Sequence, residues 1–278
     1  MKHGWWINLV LLVAVSALGA FVYLEPRSDK PASYALSALH AADVKRVQLE
    51  RKGDPAIRID RKGERWFITT PLSTEADSFQ VQRLLAVLDA RSDHRLAATD
   101  LARFDLDQPL MRLSIDGEQL GFGAVNAATR EQYVFAGGAV YTVSPRYGAM
   151  MPVDVAHLIR RQLFAANESP VRFEFRDFTV ALREGKWHVS PLSGELSQDD
   201  INRWIDAWRD AVALRAEPYS GGERIDAVKL QLKDGRTLEL DILQRGSEFV
   251  IARPDQKLRY HFAANIAGRL LLPPGSKP

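Results

Sequence analysis

A turn and the helix that follows it are written twice in this chain. Pro71-Leu72-Ser73-Thr74-Glu75 returns 120 residues later as Pro191-Leu192-Ser193-Gly194-Glu195. The correspondence continues without a gap: Val81, Leu84, Leu85 and Leu88 match Ile201, Trp204, Ile205 and Trp208, and Arg83 matches Arg203. Both sets have the i, i+3, i+4, i+7 spacing that puts four apolar side chains on one face of a helix. Each helix opens on a capping signal, Asp77 with Gln80 and Ser197 with Asp200. Such a chain has to build one unit twice, with helices expected over residues 77–90 and 197–212, each buried against its own sheet.

Upstream of both helices the sequence alternates apolar and polar residues, the period of a half-buried strand. In the first copy this covers 44–51, 56–60 and 65–69; in the second, 171–175, 179–183 and 186–190. Trp66 and Trp187 hold equivalent places before the shared proline, and Lys62-Gly63 and Glu184-Gly185 read as hairpin turns. Downstream strands are expected at 111–115, 132–135 and 139–143, and at 227–232, 237–242, 248–252 and 258–262. Strands joined by hairpin-length connections imply α+β with mainly antiparallel sheets, not a doubly wound parallel sheet. The expected organisation is an anchor at 1–25, a tether at 26–43, a first α+β repeat at 44–150, a connector at 151–169 and a second repeat at 170–278.

The anchor is read from twenty residues, Trp5 to Leu24, that carry no charged side chain. A helix of that length spans roughly 30 Å, the thickness of a bilayer's hydrocarbon core. Its eleven strongly apolar residues favour insertion by about 3 to 7 kcal/mol. Trp5, Trp6 and Tyr23 sit at the ends, and Glu25-Pro26-Arg27 closes the run. The competing reading, a signal peptide cleaved near Ala17-Leu18-Gly19, calls for a shorter and less aromatic core. With Lys2 and the terminal amine held inside, the following domains are expected outside the cytoplasm, in a bacterial periplasm, on a single-pass inner-membrane anchor formed by residues 5–24. The chain has no Cys, which rules out a lipoprotein anchor and any disulfide, and its net charge of +2 gives no general attraction for nucleic acid.

Several segments resemble a bacterial domain-of-unknown-function family that is often encoded beside gliding-motility-type ABC transporters. The likeness rests on a strand with Trp66, then Pro71, Glu75-Ala76-Asp77 and the apolar helix from Val81 to Leu88. It continues through Phe104-Asp105-Leu106-Asp107-Gln108-Pro109, where Asp105 stands in place of the pattern's Gly, and through Leu120-Gly121-Phe122-Gly123. The resemblance covers mainly residues 44–145, with a weaker echo in the second copy. It implies a membrane-tethered extracytoplasmic module and carries no active-site residues.

Catalytic signatures are scarce. His3, His40, His94, His157, His188 and His261 form no zinc-type pair, and His188 in its strand reads as a surface residue. Asp105 and Asp107 are the best candidates for a metal or catalytic role, but a solvated turn capped by their side chains explains them. Gly121-Phe122-Gly123 is two-thirds of a dinucleotide fingerprint without its third glycine, since Asn126 stands there. No nucleophile elbow or phosphate loop is present. Lys52, Arg58, Arg61 and Lys62 read as a solvated face, with anionic headgroups as the alternative partner. Trp204 and Trp208 read as core. No catalytic, cofactor-binding or metal residue is assigned, and no cofactor is expected. The expected function is a non-enzymatic, membrane-anchored accessory protein with a membrane or envelope protein partner, associated with an ABC transporter or an envelope process. The alternative is a module holding an envelope lipid or glycan in the cleft between repeats; a hydrolase assembled only by tertiary structure is a distant third.

Overall fold

The computed structural model describes residues 3–24, 33–191 and 196–276. The chain is α+β, and its body consists of two antiparallel sheets, of nine and eight strands, with a few helices. The repeated Leu192-Ser193-Gly194-Glu195 and residues 26–32 of the tether lie outside the described residues.

The uncharged run forms a helix, His3–Leu24, of 22 residues. Its described side chains, Trp6 and Leu9 to Phe21, are exposed. Among the described residues no helix is long and apolar enough to cross a membrane; the expected span of 5–24 includes positions whose side chains lie outside the described residues.

In the first sheet the strands lie in the order Thr74–Glu75, Arg65–Thr70, Ile57–Lys62, Arg46–Arg51, Met111–Ile115, Glu118–Val125, Gln132–Ala136, Ala139–Val143, Arg95–Ala97. In the second the order is Lys186–Ser190, Thr179–Arg183, Pro170–Glu174, Asp226–Leu232, Thr237–Arg245, Glu248–Arg253, Leu258–Ala263, Arg215–Pro218. Each sheet therefore sets a three-strand meander beside a four-strand one and closes with a strand from beyond the helix, and the first sheet adds Thr74–Glu75 at its other edge. Residues facing the helix are apolar and buried: Val47, Leu49, Ile59 and Ile68 in one sheet, Phe173, Val180, Leu230 and Leu240 in the other.

The helices form where the spacing places them, but end earlier. Ser78–Leu85 is capped by the Asp77 carboxylate, which accepts from the N–H groups of Phe79 and Gln80, and it buries Val81, Leu84 and Leu85. Leu88 stays buried in a 3-10 turn, Ala86–Asp89. Ala90 is then extended, so that Arg91–Ser92 can pair with Tyr34–Ala35. Gln198–Arg209 starts on Ser197 and buries Ile201, Trp204, Ile205 and Trp208. It stops because Ala211 and Val212 are drawn into bonds with the connector. The indoles of Trp204 and Trp208 donate to the carbonyls of Leu272 and Leu270, seating the C-terminal helix Ile266–Leu271 over them.

The connector is part of the core. Leu158, Ile159, Leu163 and Phe164 are buried in the same apolar cluster as both sheets. On one side Asp77 N–H donates to Leu158 O at 2.8 Å and Arg160 N–H to Glu75 O at 3.2 Å. On the other, Ala213 N–H donates to Arg161 O at 2.9 Å and Leu163 N–H to Ala211 O at 3.3 Å. Its far end is fastened by a buried ion pair. Arg253, fully buried, donates to both Glu168 oxygens at 2.6 and 3.0 Å and to the Leu163 carbonyl at 2.9 Å. Burial raises the Glu168 carboxyl, but the Arg253 bonds overcome it and hold the group below the usual carboxylate range.

Candidate functional site

Two regions gather residues singled out above. The first is the loop before strand Met111–Ile115. Leu101–Phe104 is a 3-10 turn, and Asp105 follows in the left-handed region at φ 55, a conformation that a glycine adopts without cost. The loop closes through its backbone, Asp105 N–H to Ala102 O and Leu106 N–H to Leu101 O at 2.9 Å. Asp105 and Asp107 are exposed, and no hydrogen bond or ion pair engages either side chain among the described residues. The turn is thus not capped by these carboxylates as expected. Backbone bonds hold it, together with Phe104 and Leu106, which are buried against Val140 in a second apolar cluster on the outer face of the sheet.

That packing explains the glycine pair. A Cβ at Gly123 would fall 2.1 Å from the Phe104 carbonyl oxygen and 2.9 Å from Leu106, and one at Gly121 would touch Pro109 at 3.4 Å. The two motifs quoted for the family resemblance are therefore in contact: the loop lies directly on strand Glu118–Val125. No dinucleotide geometry is involved.

The second region is the junction of the two halves. Gln80 from the first helix, Asp154, His157 and Arg161 from the connector, and Leu214 and Glu217 from the second half enclose a cleft of about 360 Å³. One wall continues into a cluster of charges. Arg215 bonds Glu217 at 2.9 Å and both oxygens of Glu248 at 2.6 and 2.9 Å. Arg259 donates to Glu217 at 2.8 Å. His261, nearly buried, sets Nδ1 at 2.9 Å from Glu248 and 2.8 Å from Arg215. Its Nε2 is buried without a hydrogen bond, 3.6 Å from Glu217. The bonds from Arg215 and then His261 hold the Glu248 carboxyl at about 2, and Arg215 and Arg259 hold Glu217 below the usual range despite its partial burial. Both acids are therefore ionised at neutral pH and committed to guanidinium groups. The cluster is a paired lattice in which no carboxyl retains a proton to donate.

The remaining candidates are dispersed. His40, His94, His157 and His188 are exposed and lie in separate elements, and among the described residues no group of three or more His, Asp or Glu is placed to hold a metal. Trp204 and Trp208 are core, with Trp204 edge-on to both Phe173 and Trp208, and Trp208 tilted against Phe173. Lys52, Arg58 and Lys62 are exposed, whereas Arg61 donates to the carbonyls of Gly63 and Ala42. Sequence reasoning missed the Arg215–Glu217–Glu248–His261 cluster. Its members come from three strands far apart in the chain, and the only local signal is the alternation of Arg215 with Glu217.

Four large apolar side chains stand exposed at or beside the junction. Leu214 lines the cleft at 59% exposure, and Val212, two residues before it, is at 51%. Phe79 precedes the cleft-lining Gln80 and is at 64%; Val153 precedes Asp154 and is at 65%.

Residues 66–231 match a family described as a domain of unknown function, DUF4340. No curated protein and no solved structure matches the chain.

Proposed function

The chain belongs to the DUF4340 family, and we propose that it is a non-enzymatic accessory protein that docks a membrane or envelope protein at the junction of its halves. In this reading residues 5–24 anchor it in a bacterial inner membrane and residues 34–278 lie in the periplasm. The partner implied by the family resemblance is an ABC transporter or a component of an envelope process. The two halves are copies of one unit, a reading supported by their parallel strand orders.

The observation that carries the docking role is the exposed set Phe79, Val153, Val212 and Leu214 around a cleft whose charges already satisfy one another. Apolar surface rimmed by polar groups is what protein interfaces use. A small ligand entering this cleft would have to displace bonds already made. The competing reading, an envelope ligand held between the halves, rests on the cleft volume of about 360 Å³.

A photo-crosslinking amino acid placed at Phe79 or Leu214 in the membrane-expressed chain tests this, with Glu184 at the exposed turn of the second half as control. Discrete adducts from both junction positions and none from the control are expected, and Leu214→Glu should abolish the Phe79 adduct. Equal adducts at Glu184, or none at the junction while the protein is stably present, would sink the docking role and favour the ligand reading. Alkaline phosphatase fused to the carboxyl terminus should be active; inactivity would reverse the topology.

A further inference from the structure

We propose that the outer face of the first sheet is a binding site for an anionic sugar, one or two rings carrying a carboxylate or phosphate. This goes beyond the docking role and does not depend on it.

Between the loop that rests on Gly121 and Gly123 and the neighbouring strands lies a cavity of about 470 Å³, within the ordinary range for small-ligand sites. Its floor is polar and comes from Gln48, Glu50, Arg112, Ser114 and Gln119; its wall is apolar, with Leu106, Pro109 and Phe135. The register explains the floor. Gln48 stands opposite Ser114, Glu50 opposite Arg112, and Ser114 opposite Gln119, so side chains from three adjacent strands project side by side.

Three features select the ligand. On the face of a sheet every backbone N–H and C=O is taken up by the ladders, so recognition falls to side chains. This disfavours an extended peptide, which gains affinity through backbone bonds at a sheet edge. The available side chains are an amide pair, a carboxylate, a hydroxyl and a guanidinium, which together donate to and accept from hydroxyl groups. Among the described residues Arg112, Ser114 and Gln119 engage no side-chain partner, while Gln48 is already oriented, accepting from Arg58 at 3.1 Å and donating to Glu50 at 2.6 Å. A guanidinium with its fork uncommitted pairs with a carboxylate or phosphate through two parallel bonds. The wall of Pro109 and Phe135 suits the C–H face of a pyranose ring.

The second half has a cavity of about 470 Å³ at the matching place, but ion pairs occupy part of its lining. The pairings Leu113–Leu120 and Leu230–Leu238 align Gly121 with Glu239 and Gly123 with Asp241. There Arg224, from the corresponding loop, bonds both carboxylates, Asp241 at 3.0 Å. The counterpart of Glu50, Glu174, is bonded by Arg172 at 2.5 Å. What the first half alone offers here is a guanidinium: the position aligned with Arg112 holds Lys229, which also engages no side-chain partner among the described residues but is a point charge without the fork.

The test uses the full chain in nanodiscs, since detergents with sugar headgroups would compete, and isothermal titration with four probes. These are a disaccharide of N-acetylglucosamine and N-acetylmuramic acid, its neutral counterpart chitobiose, a hexose 1-phosphate, and a tripeptide with a free carboxylate. Saturable binding of the carboxylated disaccharide is expected, with chitobiose weaker by about ten- to a hundredfold, the weight of a charge-assisted hydrogen bond. Arg112→Gln should bring the carboxylated sugar down to the neutral one, and Arg112→Lys should fall between. Arg112 is exposed, so neither change disturbs the core. Tighter binding of the hexose phosphate would identify phosphate as the anion and supports the same site. Equal binding of charged and neutral disaccharides, indifference to Arg112→Gln, preference for the tripeptide, or no saturable binding would each overturn the proposal.

Discussion

The two halves lay their strands in parallel orders yet hold their parts together with different chemistry. Beside the buried tryptophan common to both, Trp66 and Trp187, the first helix packs through aliphatic Val81, Leu84, Leu85 and Leu88, and the second through Trp204 and Trp208 against Phe173. Where a loop crosses the outer face, the first half brings it onto the bare backbone of Gly121 and Gly123, and the second ties it down with Arg224, Glu239 and Asp241. Where the third and fourth strands of the second meander meet, the first half turns on Gly137-Gly138, both at positive φ. Two such residues match the type I′ turn that suits strand twist. The second half instead extends its hairpin to the pair Arg253–Leu258, and Arg253 reaches into the connector. One strand order thus tolerates wide local substitution. What differs is how each half is attached: beside the backbone bonds, the connector is held to the first by Arg51 on the Pro152 carbonyl and a partly exposed Arg160–Glu75 pair at 3.9 Å, and to the second by a pair whose guanidinium is fully buried.

The largest expected effect tests that attachment. Glu168→Gln leaves the fully buried Arg253 guanidinium without its main counter-charge. It should cost about 3–5 kcal/mol, the range for removing one partner of a buried pair. Replacing both partners, as Glu168→Leu with Arg253→Met, should recover most of that loss, because two desolvated charges disappear together. Urea unfolding of the chain from residue 33 onward, followed by tryptophan fluorescence, gives both numbers. A loss below about 1 kcal/mol for the single variant would show that the halves stay joined without the pair, and the contrast with the first half would lose its energetic content.

The second prediction sets the two loop crossings against each other. Gly123→Ala puts a Cβ 2.1 Å from a backbone oxygen, so the loop must lift; overpacking of this kind costs about 1–3 kcal/mol. Asp241→Ala at the aligned position removes one partner of a half-exposed Arg224 and should cost less than about 1 kcal/mol. The same unfolding measurement decides. Equal costs would mean that the close approach at Gly123 relaxes freely.

Much of this architecture was legible in the chain because it follows local rules. Apolar spacing gave both helices and their buried faces, capping residues gave their starts, and alternation gave most of the strands. The helix ends were placed too late because tertiary pairing, Arg91–Ser92 with Tyr34–Ala35 and Val212 with Gln162, pulls the chain out of helix before the apolar stripe runs out. The strands at Thr74–Glu75, Arg95–Ala97 and Arg215–Pro218 escaped notice since two to four residues at a sheet edge carry too little alternation to register. Strand Glu118–Val125 was hidden by its glycines, whose reason is a contact with the loop before it. Neither the outer-face cavity nor the charge cluster at the junction could be read from spacing, because each is made by cross-strand register between segments far apart in sequence. Asp105 and Asp107, which spacing did single out, turn out to flank a buried leucine and to engage nothing themselves.

The smallest expected effect concerns acid. At the junction of the second half Glu248 is held at about 2 by Arg215 and His261; the corresponding edge pairing of the first half, Arg95–Ala97 with Ala139–Tyr141, brings no carboxylate. A carboxylate whose folded pKa lies below its unfolded value, about 4.3, stabilises the fold fully above that value and loses the contribution as pH falls toward the folded one. Glu248→Gln should therefore lower the melting temperature slightly at pH 7, and the gap from the unaltered chain should narrow between about pH 4.5 and pH 2. The pair is solvent-exposed and salt-screened, so the gap should also shrink in 1 M salt. Paired melting curves across that range provide the check. A gap that persists unchanged at pH 2 would mean that the glutamine disturbs packing, and the acid sensitivity of the junction would have to be sought at Glu217 instead, which Arg215 and Arg259 hold down in the same direction.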